Sequence, residues 1–255
     1  MKNLLVIPCF RDAARFRVFG RDLAGSLGPD CTIVVSDDGS GSKEVTLLRD
    51  VISELSVLSG KDGPRFASPV VASVNSGKGA AVRRGWEEGM TMGDFGLVAF
   101  ADADGAVAAP EIARGIRRMM EADAPDALFA CRVKMLGRSI RRNLRRHLAG
   151  RVFATLVHWV SGTEAYDTQC GFKILSRRAY ESIRTDLRAP GFAFDVEILM
   201  LLEKLGWKIE EFPVDWHDVP GSKVHLLSDS LRMTTEILSI RSRIRAMDKR
   251  MTDCE

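Results

Sequence analysis

Short, wholly apolar runs alternate with longer stretches of helical period along the first half of this chain. Leu4 to Ile7, Thr32 to Val35, Val70 to Val74, Leu97 to Ala101 and Ala127 to Arg132 have the near-continuous hydrophobic character of strands buried on both faces. Between them the spacing predicts helices over about 12–27, 43–58, 78–88 and 110–121, with Gly28-Pro29 closing the first and a Gly/Pro-rich connector over 60–69. Further on, helices are predicted over about 177–184, 195–205 and 226–250, and a strand over about 208–213. Strand–helix alternation of this kind implies an α/β fold, a mostly parallel central sheet with helices on both faces. We read residues 1–240 as one domain, with the basic amphipathic helix of 226–255 packed on it or extending from it.

In such sheets ligands bind outside the C-terminal ends of the strands, where the strand order reverses. Four polar motifs sit at those ends: Pro8 to Asp12, Asp37 to Ser40, Asn75 to Gly79 and Asp102 to Asp104. Their gathering at one edge marks a site. Asp102 and Asp104, two positions apart on an extended strand, leave it on the same side. Two convergent carboxylates repel unless a cation lies between them, although the same residues also make an ordinary acidic turn. Gly77-Lys78-Gly79 opening a helix offers backbone amides and an ammonium to phosphates, or serves as a plain strand-to-helix turn. No Gly-x-Gly-x-x-Gly follows the first strand and no Walker lysine pattern occurs, so neither a dinucleotide fold nor a P-loop kinase is supported.

Composition narrows the classes further. Of 255 residues, 45% are hydrophobic and 28% charged, ordinary for a globular protein, and a net charge of +3 does not make a nucleic-acid binder. Arginine is nevertheless concentrated in one segment: Arg138, Arg141, Arg142, Arg145 and Arg146, with Ile140, Leu144, Leu148 and Val152 at four-residue spacing and Trp159 in the apolar run that follows. This predicts a basic amphipathic helix, suited to an anionic membrane surface or to a core-packed helix with a solvated face. RNA binding is disfavoured because no aromatic stacking platform accompanies it. The five cysteines are scattered without ligand spacing; Cys9, Cys31 and Cys131, in or beside apolar runs, read as small buried hydrophobes, and reduced thiols in a cytosolic compartment fit best. The N-terminus lacks a signal-peptide pattern and no run reaches transmembrane length.

With these motifs in place the chain resembles the family 2 glycosyltransferases of the GT-A fold, and within them the dolichyl- or polyprenyl-phosphate β-glucosyltransferases. The generic motifs are Ile7-Pro8 with Asp12, Asp37-Asp38-Gly39-Ser40, the block from Gly77 to Gly85, and Ala101 to Ala106. The narrower ones are Asp167-Thr168-Gln169-Cys170-Gly171-Phe172-Lys173, Phe194-Asp195-Val196-Glu197, and Trp216-His217-Asp218 before Gly221-Ser222-Lys223. Matching elements span residue 4 to about residue 240. Where the family shows Asn-Glu, this chain has Arg11-Asp12. Relatives often carry transmembrane helices that this sequence does not show.

The resemblance implies a UDP-sugar donor, UDP-glucose first, a polyprenyl phosphate acceptor, and Mg²⁺ or Mn²⁺ held by Asp104 and, directly or through the ribose, by Asp102. Asp37 or Asp38 would contact uracil or ribose with Asp12 in support, Pro8 and Gly77 would line the nucleotide, and Lys78 and Arg132 would meet the phosphates. Asp167 stands where the family's base is usually placed, with Asp195 and then Glu197 as further candidates; the two latter residues are equally ordinary acids at a helix N-terminus. Lys173, Arg132 and Lys223 would hold the acceptor phosphate. Gln169, Trp216, His217, Ser222 and Lys223 would form its loop, with Trp216 and His217 read as a flap or a plain surface loop. A phosphate monoester has its second pKa near ~6, so the acceptor is already a nucleophile at neutral pH and attack opposite the leaving group inverts the anomeric centre. The implied location is cytoplasmic, peripheral to the cytoplasmic face of a membrane, with Arg138, Arg141, Arg142, Arg145, Arg146 and Trp159 facing it. A second copy of the chain or a membrane-anchoring protein are candidate partners, and nucleic acid is not. A mannosyltransferase, a transferase with another acceptor and a non-catalytic nucleotide-sugar-binding scaffold are the alternatives.

Overall fold

The computed structural model describes residues 1–137, 139–141, 162–163, 165–219 and 226–252. In chain order these form β1 (Asn3–Cys9), α1 (Ala13–Ser26), β2 (Cys31–Asp37), α2 (Ser42–Ser59), β3 (Arg65–Phe66), β4 (Val70–Val71), α3 (Lys78–Met90), β5 (Leu97–Ala101), α4 (Ala109–Arg118) and β6 (Ala127–Cys131). There follow β7 (Ile140–Arg141), β8 (Phe172–Ser176), α5 (Arg177–Ile183), α6 (Phe194–Lys204), β9 (Ile209–Pro213), β10 (Trp216–His217) and α7 (Leu226–Thr252).

Among the described residues the main sheet has the order β3-β2-β1-β5-β8-β6-β9, with β4 also paired to β2. Every pairing is parallel except those of β8, which runs antiparallel between β5 and β6. The apolar strands are buried on both faces because alternate side chains enter two separate cores. Leu5, Ile7, Ile33 and Val35 pack with Phe16, Phe19 and Leu23 of α1 and Ile112 of α4. Leu4, Val6, Val34, Val98 and Phe100 pack with Trp86 of α3, Tyr180 of α5, and α6. Trp86 anchors this second core: fully buried, it donates Nε1–H to the Ala99 carbonyl at 3.0 Å and meets Tyr180 edge-on at 5.3 Å. Ile237, Ile240 and Ile244 seat α7 on the same core.

The chain lays β2 on one side of β1, then returns to place β5 on the other. Their C-terminal ends therefore flank the point where strand order reverses, the position at which α/β sheets bind ligands. Because β8 is antiparallel, with Ala101 opposite Phe172, its entering segment 167–171 arrives at that same edge.

Four local expectations change. The strand expected over 70–74 is only Val70–Val71, and the connector before it contributes β3. The Asp167–Lys173 block, read as a polar motif, runs directly into β8. Ile140–Arg141 is strand rather than the start of a helix, because Trp216 donates its N–H to the Ser139 carbonyl at 3.0 Å and β10 pairs with β7. By the same pairing Trp216 and His217 are strand, not loop. Local apolar spacing could not reveal a partner some 75 residues away. The rest of the expected basic helix, with Arg138, Arg142, Arg145, Arg146 and Trp159, lies outside the described residues, as do Ser222 and Lys223.

Candidate functional site

The end of β5 brings Asp102 and Asp104 to the switch point. Asp102 is half-exposed, its N–H donates to the Gly171 carbonyl at 2.9 Å, and its carboxylate lies against the Cα of Gly171. A Cβ at residue 171 would stand 1.8 Å from Asp102 Oδ2, so only glycine leaves this carboxylate its place. Asp104 Oδ1 accepts the Ala106 N–H at 3.0 Å, and burial together with the Asp102 charge raises the Asp104 pKa. An acid perturbed in this way by a neighbouring carboxylate is a group that a cation would relieve. The described residues form no cluster of three or more His, Cys, Asp or Glu side chains placed to bind a metal. Two carboxylates with only oxygen to offer fit a hard divalent cation that takes its other ligands from substrate phosphates and water.

Lys78, the first residue of α3, places Nζ 2.8 Å from Asp102 Oδ1 and 3.4 Å from Asp195 Oδ2. Burial works to lower its pKa, but Asp102 and Asp195 outweigh it and hold the ammonium above the usual lysine range. Behind it Asp195 Oδ1 accepts from Lys173 Nζ at 2.6 Å, and Lys173 also donates to the Cys170 carbonyl at 2.7 Å. Charges thus alternate from the surface inward through Asp102, Lys78, Asp195 and Lys173. Lys173 is fully buried between the rings of Phe100 and Phe129, so the expectation that it holds the acceptor phosphate is corrected: it reaches the site only through Asp195. β8 turns this side chain into the core because its register sets Lys173 opposite both Phe100 and Phe129.

At the end of β2, Asp37 folds its Oδ2 back onto the N–H groups of Gly39 and Ser40 at 3.1 and 3.0 Å, while its buried Oδ1 accepts no hydrogen bond. Asp38 takes the N–H groups of Ser76 and Gly77 at 3.0 and 2.7 Å and so pins the loop that leads to Lys78. That turn needs glycine at 77: its φ is +102°, and a Cβ would meet the Pro190 carbonyl at 2.5 Å. Pro8 lies opposite Ser36. Asp12 is bound by Arg15 at 2.7 and 2.6 Å, an i,i+3 partner that the sequence reading passed over although its spacing was visible. Arg11 is the one non-glycine residue at positive φ among the described residues, at +49°, with its N–H donating to Ser40 Oγ at 2.7 Å. Asparagine tolerates that conformation better than arginine does.

On the other side of the β5 end, Asp167 is clamped by Arg132 through Nε at 2.6 Å, Nη2 at 2.7 Å and the backbone N–H at 3.0 Å. Burial alone would raise the Asp167 pKa, but Arg132 overrides it and holds the carboxyl at about 2. A carboxylate so acidic and so fully bonded is a poor proton acceptor. Gln169 donates its N–H to Asp167 Oδ1 at 3.1 Å, and its buried Nε2 makes no hydrogen bond. Arg132 lies over the Trp216 ring at 5.6 Å, and the His217 N–H donates to the Ala106 carbonyl at 3.0 Å, which ties β10 to the Asp104 turn. The site therefore brings together Asp37, Asp38, Lys78, Asp102, Asp104, Asp195, Asp167, Arg132, Gln169, Trp216 and His217.

Glu197 stands apart. Its Oε2 accepts the N–H groups of Arg188 and Ala189 at 2.9 and 2.8 Å, and Arg243 of α7 pairs with its Oε1, so it fixes the loop beneath Gly77. Burial pushes the thiols of Cys9, Cys131 and Cys170 up to about 12, which removes them as nucleophiles. Sequence reading missed Gly171 as the cradle of Asp102; its place inside the Asp167–Lys173 block was the available signal.

The chain matches the model of Glycosyl transferase family 2 over residues 4–184. It is 32% identical over 252 residues to the dolichyl-phosphate beta-glucosyltransferase of Saccharomyces cerevisiae, covering 93% of this chain and 73% of the relative. The mouse (Mus musculus) protein of the same name is 30% identical over 256 residues, covering 94% of this chain and 74% of its own length. The match spans only 62% of the Dictyostelium discoideum relative. Among solved structures, glucosyl-3-phosphoglycerate synthase from Mycobacterium tuberculosis, in complex with Mn²⁺, UDP-glucose and phosphoglyceric acid, superposes with a TM-score of 0.63 at 15% identity. That superposition covers 95% of this chain and 79% of the other and establishes the shared GT-A fold.

Proposed function

This chain belongs to the family 2 glycosyltransferases, and from that premise we propose that it moves glucose from UDP-glucose to a polyprenyl phosphate, inverting the anomeric centre and releasing UDP in a reaction that uses Mg²⁺ or Mn²⁺. The names of its relatives support the acceptor class and the sugar. The observation that carries the reading is the end of β5, where burial and the neighbouring Asp102 together raise the Asp104 pKa and Lys78 Nζ lies 2.8 Å from Asp102 Oδ1.

Asp102 and Asp104 would hold the divalent cation, which when bound supplies positive charge against the charge that grows on the leaving diphosphate. Lys78 stands beside them as a second cation for those phosphates. The unbonded Oδ1 of Asp37 is an acceptor for a nucleobase N–H. Across the site, Asp167 keeps Arg132 charged and aimed along Trp216, so that the guanidinium can draw the acceptor phosphate toward an already anionic donor. Asp167 orients and does not take a proton, because a phosphate monoester with a second pKa near ~6 needs no base at neutral pH. An oxygen of the acceptor phosphate attacks the anomeric carbon from the face opposite UDP as the bond from that carbon to the UDP oxygen breaks, turning an α-linked donor into a β-linked product.

No helix among the described residues is long and apolar enough to cross a membrane. We take the lipid acceptor to be met from the cytoplasmic surface, with the arginine-rich segment of 138–159 as the contact. Labelled UDP-glucose, GDP-mannose and UDP-N-acetylglucosamine, each offered with undecaprenyl or dolichyl phosphate and Mn²⁺, test the proposal. Lipid-linked label from UDP-glucose that is lost in Asp104→Ala supports it. Label from GDP-mannose alone overturns the sugar, and UDP binding without any lipid product overturns the acceptor.

A further inference from the structure

We propose a second anion site, separate from the strand-end site, that receives the phosphate of a phosphoester in a cavity between α3 and the segment that follows α5. The cavity is an open cleft of about 740 Å³. Four arginines line it, Arg83 and Arg84 from α3 with Arg184 and Arg188 from the opposite wall, against one acidic residue, Glu87. In a chain whose net charge is only +3, this is a strong local concentration of one sign.

The arginines are not consumed by the fold. Arg83 donates Nη1–H to the Leu187 carbonyl at 2.7 Å, which fixes it as part of the wall and leaves its charge unpaired. Arg84 Nη1 is buried without a hydrogen bond. The nearest acid oxygen, Asp38 Oδ1 at 3.9 Å, already accepts the Ser76 N–H, and Asp38 Oδ2 accepts that of Gly77. Arg184 and Arg188 are exposed and make no ion pair with another described residue. Like charges held together in this way repel, and the arrangement is relieved by an anion with several acceptor oxygens.

Chemistry selects the ligand. Planar guanidinium forks match phosphate oxygens, and several of them converging favour a phosphate dianion over a single carboxylate. No aromatic ring lines the cavity to stack a base, which argues against a nucleic-acid strand. The phosphate can belong to a phospholipid headgroup or to a soluble phosphoester. Ser76 forms part of the wall and its N–H is held by Asp38, so the cavity backs directly onto the loop that carries Lys78.

Two binding measurements separate the sources, and neither requires donor or sugar transfer, so they stand apart from the proposed activity. Glycerol 3-phosphate is titrated calorimetrically into the full chain at low ionic strength. Flotation is then compared on phosphatidylcholine vesicles with and without phosphatidylglycerol. The variant is R184Q/R188Q, two exposed positions at which the melting temperature is expected to stay within ~2 °C of the parent. An R49Q/R65Q control removes the same charge from exposed positions elsewhere. With ~1 kcal/mol for each arginine near an anionic surface, the double variant is expected to bind anionic vesicles on the order of 30-fold more weakly. A loss confined to vesicles identifies a headgroup, and a loss confined to glycerol 3-phosphate identifies a soluble ester. Binding unchanged in both, or reduced no more than in the control, overturns the site.

Discussion

Replacing Gly171 by alanine isolates the placement of Asp102 from the stability of the fold. Gly171 has no positive φ, so alanine accepts the backbone without strain. The new methyl would stand 1.8 Å from Asp102 Oδ2, about 1.6 Å short of an ordinary 3.4 Å contact. Asp102 is half-exposed and free to swing outward, so it moves before the sheet does. The fold then loses the Asp102–Lys78 ion pair and one rotamer preference, about 1 kcal/mol, and Tm falls by only ~2–4 °C. Activity suffers far more, because displacing a group by ~1 Å in a charge-stabilising site costs on the order of 10²-fold in rate. A thermal melt without metal, paired with initial rates of glucosyl transfer across a Mn²⁺ titration, reads both effects. We expect a near-native melt, a rate lowered on the order of 100-fold and a requirement for more Mn²⁺. A wild-type rate at the same Mn²⁺ concentration would refute the claim that Gly171 exists to seat Asp102, and with it the assignment of Asp102 to the metal.

Further substitutions test other parts of the site. Lys173→Met leaves the buried Asp195 without its closest cation and should cost ~3–5 kcal/mol in urea unfolding, largely restored in Lys173→Met/Asp195→Leu; a loss below about 1 kcal/mol would mean that Lys78 alone satisfies Asp195. Asp167, at about 2 in the fold against an ordinary 3.8, gives stability that is complete above ~pH 4 and disappears as pH falls through about 2. Asp167→Asn should therefore be less stable at pH 7 by at least the ~2 kcal/mol this shift represents, and the gap should narrow on acidification toward pH ~3. A gap independent of pH would contradict the Arg132 clamp. Arg11→Asn relieves the left-handed backbone at +49° and should raise stability by about 0.5–1 kcal/mol in the same assay; a loss of that size would mean that the arginine side chain contributes more than its strained backbone costs.

The strands of the first half were legible because burial on both faces writes itself as uninterrupted apolar runs, and the glycine- and aspartate-rich ends followed from them. What local pattern could not carry was long-range pairing. β8 begins inside a motif read for its chemistry, and only its antiparallel insertion between β5 and β6 explains how Asp167 reaches Asp102's side of the sheet. Ile140 fitted a helical period, yet its backbone is claimed by Trp216. Lys173 looked like a phosphate ligand because lysines are seldom buried, and register alone turned it inward against Asp195. Glu197 and Asp195 share a motif two positions apart but serve different elements: one fixes the 188–189 loop, the other meets Lys78. Asp102 and Asp104 were identified as a pair from spacing; the glycine that cradles one of them required coordinates.

The central claim is that the strand ends form one donor site in which Asp102 and Asp104 hold the diphosphate through a divalent cation. Calorimetric titration of UDP into the full chain, with Mn²⁺ and again with EDTA, tests it most directly, with Asp104→Ala alongside. Binding that appears with Mn²⁺, vanishes with EDTA and is lost in Asp104→Ala is the expected result. UDP bound equally well without metal, or unaffected by Asp104→Ala, would contradict it.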